Sequence, residues 1–303
     1  MSNGISRIPK VPDEIKTAIN NDTLSVFIGA GVSTLVGCKG WDALARNLVN
    51  RCHEEDIINF REKDTLSQIQ DHKKTITICY HIFHNNHLAD VFYEEMNKAL
   101  KEKDFVEKPV ETPNIYDDII KLRGLFITTN ADTHFDRLFN QPNIFYRDSD
   151  FREDRLDRTN LYHIHGSVKD RTSLIFTVSA YMQRYTQNME FRRFLGRIFR
   201  EYTVLFLGYG VAEFEILEFI LRESSRNPAP KHFMLSGFFS GEENILSYEQ
   251  AYYNDLGINI LGYEKDAKGY RQLAEVIRYW NEEINQVTGY LHDASRLIDE
   301  AIE

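Results

Sequence analysis

The chain is predicted to fold as an α/β protein, a doubly wound parallel sheet interrupted by a helical insertion. Three observations carry this. Short apolar, β-branched runs recur with helical stretches between them, as in a sheet covered on both faces. Two of those runs end in glycine turns, Gly29-Ala30-Gly31 and Gly208-Tyr209-Gly210. Roughly ninety residues separate the first turn from the next convincing strand, where a plain strand–helix–strand unit needs only about thirty.

The elements follow in order. Val11-Pro12-Asp13-Glu14-Ile15 opens a short helix ending near Asn20-Asn21-Asp22, and Leu24–Ile28 is the first strand. Beyond the glycine turn, Trp41–Val49 has helical spacing of apolar residues. Thr65–Phe83 and Leu88–Leu100 read as amphipathic helices with few glycine or strand signals, which places the insertion at about residues 42 to 110. It serves either as a cap on the sheet or as a gate for substrate. Thr112-Pro113 starts a helix over Asn114–Leu122, with Gly124 expected in the C-cap position. Strands are then expected at Leu125–Thr129, Asn160–Ile164, Leu174–Thr177, Thr203–Leu207, His232–Leu235 and Ile258–Leu261. Helices are expected over Gln187–Arg200, Phe214–Arg222 and near Tyr248–Asn254. Gly269–Gln286 and Thr288–Ile302 are amphipathic and mostly helical.

Composition narrows the class. The 303 residues, 42 % hydrophobic and 27 % charged, suit a globular protein with a substantial core. The first residues lack an apolar signal segment and no run reaches membrane-span length, so a cytoplasmic location is expected. Cys38, Cys52 and Cys79 are odd in number and widely spaced, which indicates neither a disulfide framework nor a metal site. A net charge of −10 argues against a dedicated nucleic-acid surface. The series Arg192-Arg193, Arg197 and Arg200 has roughly helical spacing and reads as a solvated face.

The candidate chemistry lies at strand ends. In an open α/β sheet, ligands bind beyond the carboxyl ends of the strands. Gly29-Ala30-Gly31, Asn130, His165 and Gly208-Tyr209-Gly210 each follow a predicted strand. Glycines at such a turn let backbone N–H groups approach a phosphate. The third glycine of the dinucleotide fingerprint is absent, and Thr34 stands in its place.

Three segments together resemble the sirtuin family of NAD-consuming enzymes, over about residues 20 to 265. Gly29-Ala30-Gly31-Val32-Ser33 is similar to the family's Gly-Ala-Gly-(Ile/Val)-Ser loop around the NAD pyrophosphate. Thr128-Thr129-Asn130-Ala131-Asp132 resembles the Thr-Thr-Asn-Tyr-Asp motif of bacterial sirtuin-like effectors, with Ala131 replacing the aromatic residue. His165-Gly166 matches the catalytic His-Gly pair. Leu205–Gly210 is similar to the effectors' Gly-Tyr-Ser stretch, with Gly210 replacing serine. The deacylase branch differs: it carries two Cys-x-x-Cys pairs after the histidine, whereas no cysteine follows Cys79 here. It also has an Asp-Phe-Arg cofactor loop where this chain has Gly40-Trp41-Asp42-Ala43.

The resemblance implies a Rossmann-like, sirtuin-type domain at 1–265 and a C-terminal helical segment at 266–303. It implies hydrolysis of NAD to ADP-ribose and nicotinamide, with NAD as substrate and no zinc. Nicotinamide leaves a ribose through an oxocarbenium-like state, so the needs are an orienting group and a base. Asn130 suits the first and His165, with an ordinary pKa of about 6.5, the second. By the family pattern Asp132 would hold the nicotinamide carboxamide, and Gly29, Ala30, Gly31, Ser33, Gly208 and Tyr209 would position phosphate and ribose. His163 alternates with His165 along the strand and reads as structural; His134 is expected to begin a helix in a capping or solvent role. Glu213 and Glu215 cap a helix electrostatically or contact a ribose.

The effector branch further implies anti-phage defence, and a chain of this length resembles subunits that work with a HerA-type ATPase. An unrestrained NADase would harm its own cell, so a homo-oligomer that controls the site is expected. Ile277, Trp280, Ile284, Val287, Leu291, Leu297 and Ile298 recur at mainly three- and four-residue steps. They form an assembly surface or cover one face of the sheet. Protein deacylation and non-catalytic NAD or ADP-ribose sensing are the alternative activities.

Overall fold

Leu24–Ile28 (β1) and Thr203–Leu207 (β5) are buried at every position because each is covered on both sides. The computed structural model describes residues 4–106, 110–209 and 232–285. In it β1 and β5 lie side by side in a seven-stranded, all-parallel sheet. The other strands are β2 (Leu125–Thr128), β3 (Ile144–Phe145), β4 (Leu161–His163), β6 (His232–Phe238) and β7 (Ile258–Glu264). Their order is β3-β4-β2-β1-β5-β6-β7. The chain therefore builds outward from β1 on one side, then returns to place β5 on its other side. That reversal is a topological switch point, where the carboxyl ends of β1 and β5 open a crevice.

Alternate side chains supply two cores. Phe27, Ile127, Tyr162 and Phe206 face one layer, which contains the helix Met189–Glu201. That helix buries Phe191, Phe194, Leu195, Ile198 and Phe199, each contributing about 1.5–3 kcal/mol. Val26, Ile28, Phe126 and Leu205 face the other layer, with Ile15 of the helix Asp13–Asn20 (α1) and with Ile277 and Trp280. Residues 272–285 are helical. The Trp280 indole donates to the Pro9 carbonyl at 2.7 Å. Ile277 and Trp280 thus cover the sheet and are closed to assembly, whereas Val287, Leu291, Leu297 and Ile298 lie outside the described residues.

Between β1 and β2, beside the short helices Ala30–Leu35 (α2) and Ile115–Ile119 (α7), stand four longer ones, Trp41–Glu54 (α3), Phe60–Ser67 (α4), His72–Asn85 (α5) and Ala89–Ala99 (α6). They share a third core built on Leu48, Cys52, Cys79, Phe83, Phe92 and Met96, which reaches Ala131 and Phe176 beside the sheet. The expected single helix Thr65–Phe83 is two. Asp71 accepts from the Lys74 N–H at 3.0 Å and starts α5 afresh, so this cap overrides the apolar periodicity.

Other expectations are corrected. Leu174–Thr177 is not a strand: it is an extended segment tied by Ile175 N–H to the His165 carbonyl at 2.9 Å, with Ile175 and Phe176 buried. Burial without a neighbouring ladder mimics a strand in sequence. The turn before β2 is closed by Arg123 at φ 55°, not by Gly124. Gly124 is needed for space, since a Cβ there would lie 2.9 Å from Val26 Cγ2. The helix expected from Gln187 begins at Met189, after a π-helical turn over Gln183–Gln187. The two-residue β3 went unpredicted. Phe214–Arg222, Gly210, Glu213, Glu215 and Thr288–Ile302 lie outside the described residues. Among the described residues no helix is long and apolar enough to cross a membrane.

Candidate functional site

The two glycine turns fit into each other at the switch point. Gly29 N–H donates to the Leu207 carbonyl at 2.9 Å and Gly31 N–H to the Gly208 carbonyl at 2.8 Å. A Cβ on Gly29 or Gly31 would lie 2.6 or 2.8 Å from the Gly208 oxygen. Gly208 itself sits at φ +60°, where a Cβ would meet Val32 N at 2.4 Å. These glycines are therefore fixed by backbone approach, and the Gly31 N–H is already bonded within the protein. A cavity of about 720 Å³ opens beside them. Ala30, Gly31, Gly208 and Tyr209 line it together with Trp41 and Lys73 of the helical insertion.

Asn130 lies just behind the first turn. It is buried, and its Nδ2 donates to the Gly29 carbonyl at 3.0 Å. Its backbone N–H donates to Thr128 Oγ1 at 3.0 Å. Ser33 and Asp132 meet directly, Ser33 Oγ donating to Asp132 Oδ2 at 2.6 Å. The Tyr116 hydroxyl joins them, 2.9 Å from Ser33 Oγ. Burial and the nearby Asp132 push that phenol far above its usual range, so it stays protonated. The sequence reading missed Tyr116, whose place in a short helix carries no local signal.

His163 and His165 part company, as alternation requires. His163 is clamped, Nδ1 2.8 Å from the Asn130 carbonyl and Nε2 2.8 Å from Asp136 Oδ1. Lys169 Nζ holds the other oxygen of Asp136 at 2.8 Å. Burial opposes a charged His163, but the Asp136 carboxylate outweighs it and raises the pKa. Burial likewise opposes the Asp136 charge, yet His163 and Lys169 hold its pKa below the usual value.

His165 sits among tyrosines instead. Nε2 is 2.7 Å from the Tyr185 hydroxyl, and Nδ1 is 3.5 Å from that of Tyr181. Burial, then the cations of Lys73 and Arg184, keep its pKa well below the ordinary range. The ring is neutral at neutral pH. Tyr181 comes from the helix Val178–Met182 (α8) and Tyr185 from the π turn. Arg184 in that turn donates to the Ile164 carbonyl at 2.7 Å and anchors the turn to the end of β4. The Tyr181–Tyr185 spacing is a signal that could have been found, since residues four apart share a helix face.

The remaining candidates fall into place. His134 does not begin a helix; its N–H is capped by Asp132 Oδ1 at 3.1 Å and its Nε2 lies 3.2 Å from the Leu100 carbonyl. Cys38, Asp132 and His134 offer ligand atoms within 4.8 Å of one another. Those atoms have protein partners: Cys38 Sγ donates to Leu100 O, and Asp132 accepts from Ser33 and His134. Glu102, nearby, is pushed up to about 7 by burial and by Asp132. The arginine series is engaged with acids and carbonyls: Arg193 with Glu190, Arg197 and Arg200 with Glu201, and Arg192 with the Thr186 carbonyl.

Asn130, Ser33, Asp132, the two glycine turns and His165 thus occupy one edge of the sheet. The cavity touches the turns directly. Asn130 and His165 do not line it: Asn130 is bonded to Gly29, next to the lining residue Ala30, and His165 is covered by Tyr181, whose ring lies against the lining residue Lys73. Such an arrangement can hold a phosphate-bearing ligand at the switch point with an amide and a neutral imidazole behind it.

Comparison with known families gives one finding. A SIR2-like domain matches residues 124–260, from Gly124 into β7, a span that carries Asn130, His165 and Gly208. The match points to NAD-related activity in general, and the all-parallel α/β sheet is consistent with a Rossmann-like, sirtuin-type fold. No curated protein matches the chain.

Proposed function

We propose that the chain hydrolyses NAD to ADP-ribose and nicotinamide. The observation that carries this reading is the hydrogen bond from Asn130 to the Gly29 carbonyl, which joins two motif segments at the switch-point cavity. In the reaction the bond between ribose C1′ and the pyridinium nitrogen breaks, and nicotinamide leaves neutral with the electron pair. Water forms the new bond to C1′ and gives up a proton. Asn130 orients the ribose hydroxyls or the water. His165, neutral through burial and its cationic neighbours, takes the proton, and the same surroundings return it readily to solvent. Asp132, with Ser33 against it, orients the carboxamide.

The effector resemblance supports an anti-phage role, with self-assembly and a HerA-type ATPase as the routes of control. The test is to incubate the pure chain with NAD and follow nicotinamide release, with and without an acetylated peptide. Peptide-independent release is expected. Release only with the peptide would make the chain a deacylase, and binding without release would make it a sensor.

A further inference from the structure

The π turn that carries Tyr185 also carries Arg184, a guanidinium only 2 % exposed. Its Nη1 donates to the Ile164 carbonyl at 2.7 Å, one residue before His165. Its Cζ stands 5.0 Å from the centroid of the Phe151 ring and 5.7 Å from that of Phe191. Asp148 Oδ1 lies 2.8 Å from its Nε, as an ion pair outside hydrogen-bond alignment. The same Asp148 oxygen accepts from Asn188 Nδ2 at 3.1 Å, and Asn188 Oδ1 caps the helix Met189–Glu201 through the Phe191 N–H at 3.0 Å. One buried cation thus joins the end of β4, the π turn and the carboxylate that holds the next helix. A space between two phenyl rings would suit an apolar side chain at no greater cost, since a buried ion pair gains little for stability. The charge therefore points to a role beyond packing.

We propose that Arg184, with Asp148 as its counterion, is a positioning residue for the base of the proposed reaction. It fixes the π turn against β4 so that the Tyr185 hydroxyl stays on His165 Nε2, 2.7 Å away. It also stands as a permanent cation facing the ring, because a guanidinium keeps its proton in a protein. That His165 is the base rests on the reading above.

The groups facing His165 are Lys73 from α5, Tyr181 from α8, and Arg184 and Tyr185 from the π turn. Those facing Arg184 are Tyr185 in the same turn, and Asp148 and Asp150 from the turn after β3. Burial, then Lys73, then Arg184 hold the His165 pKa down. Removing the Arg184 charge therefore raises it. Neutralising Asp148 leaves the Arg184 charge less compensated and lowers it further. His165 acts as a neutral base, so the acid limb of the pH–turnover profile moves in the same direction as its pKa.

The experiment uses the full chain with Arg184→Met, Asp148→Asn and the double variant Arg184→Met/Tyr185→Phe, each checked by thermal melting. NMR of the histidine-labelled chain follows the His165 ring across pH, its resonances assigned by their loss in His165→Gln. Nicotinamide release gives kcat and KM. Arg184→Met is expected to lower kcat about ten- to hundredfold, the cost of misplacing a reacting group by about 1 Å, with KM little changed. It should move the His165 titration to higher pH, and Asp148→Asn should move it to lower pH. The double variant should lose no more than Arg184→Met alone, because the arginine acts through the Tyr185 contact. An unmoved or reversed titration in either single variant, or losses that multiply in the double variant, overturns the proposal. Should Arg184→Met fail to fold, the shift in Asp148→Asn decides alone: downward supports the proposal, and unmoved overturns it. A wild type that releases no nicotinamide overturns the NAD reading, whereas the two opposed NMR shifts still decide whether Arg184 and Asp148 set the state of the ring.

Discussion

His163 and His165 stand two residues apart at the end of one strand, equally buried, in opposite electrostatic surroundings. His163 faces a carboxylate that is itself held by Lys169, and its pKa rises. His165 faces phenols and two cations, and its pKa falls well below the ordinary value. One ring is a clamp that ties the Asn130 carbonyl to Asp136; the other is a neutral ring with no acid against it among the described residues. The contrast teaches that residue type alone assigns no role at a strand end. The side of the sheet a residue faces decides what it meets.

The largest effect that sharpens the contrast is expected at Asn130. Asn130→Ala should leave a folded chain whose NAD turnover drops by about 10²–10⁴. Nicotinamide release by a variant with a normal circular dichroism spectrum measures this, and near-normal turnover removes Asn130 from the chemistry.

Breaking the clamp should instead cost stability. His163→Gln leaves Asp136 buried with Lys169 as its remaining ionic partner, and one-sided loss of a buried pair costs about 3–5 kcal/mol. Denaturant unfolding reads this directly. An unchanged midpoint would mean that His163 is not the clamp described.

A smaller effect belongs to Tyr185. Tyr185→Phe removes the hydroxyl at His165 Nε2 and should lower turnover by about tenfold, equal to about 1.4 kcal/mol. Steady-state kinetics on the melted-and-checked variant tests it. Full turnover would show that the ring needs no holding at Nε2.

The smallest effect is in the pH dependence of stability, where the two rings oppose each other. His163, raised in the fold, contributes fully below its unfolded value of about 6.5 and loses that contribution as pH rises through its folded pKa. His165, depressed in the fold, contributes fully above 6.5 and loses that contribution as pH falls toward its folded pKa. Asp136 acts in the same direction as His165 but below about 3.8. Thermal melts across pH should therefore show His163→Gln flattening the alkaline side and His165→Gln flattening the mildly acid side. Interchanged slopes would reverse the assignment.

Much of this was legible in the sequence, for identifiable reasons. β1 and β5 are continuous apolar runs bounded by turn residues, so Leu24–Ile28 and Thr203–Leu207 appear at their predicted bounds. The strand-end positions of Gly29 and Gly208 followed from those runs, and those of Asn130 and His165 from Leu125–Thr129 and Asn160–Ile164. What stayed hidden depends on contacts made across the chain. Ile144–Phe145 is too short for periodicity to register. Leu174–Thr177 is buried by packing without pairing, which a pattern of apolar residues does not distinguish from a strand. Arg123, at φ 55°, takes a conformation usually assigned to glycine. Within the site, Lys73, Tyr116, Tyr181 and Tyr185 come from helices outside the motifs, and only the fold brings Lys73 to the cavity, Tyr116 to Ser33, and Tyr181 and Tyr185 to His165.

The most direct test of the account is nicotinamide release from NAD by the full chain carrying His165→Ala, with folding verified by its thermal melt. A fall of about 10²–10⁴ relative to the wild type, in a chain that melts as a folded protein, is the predicted result. Wild-type turnover in that folded variant would contradict it and leave the neutral ring at the end of β4 without a role in the chemistry.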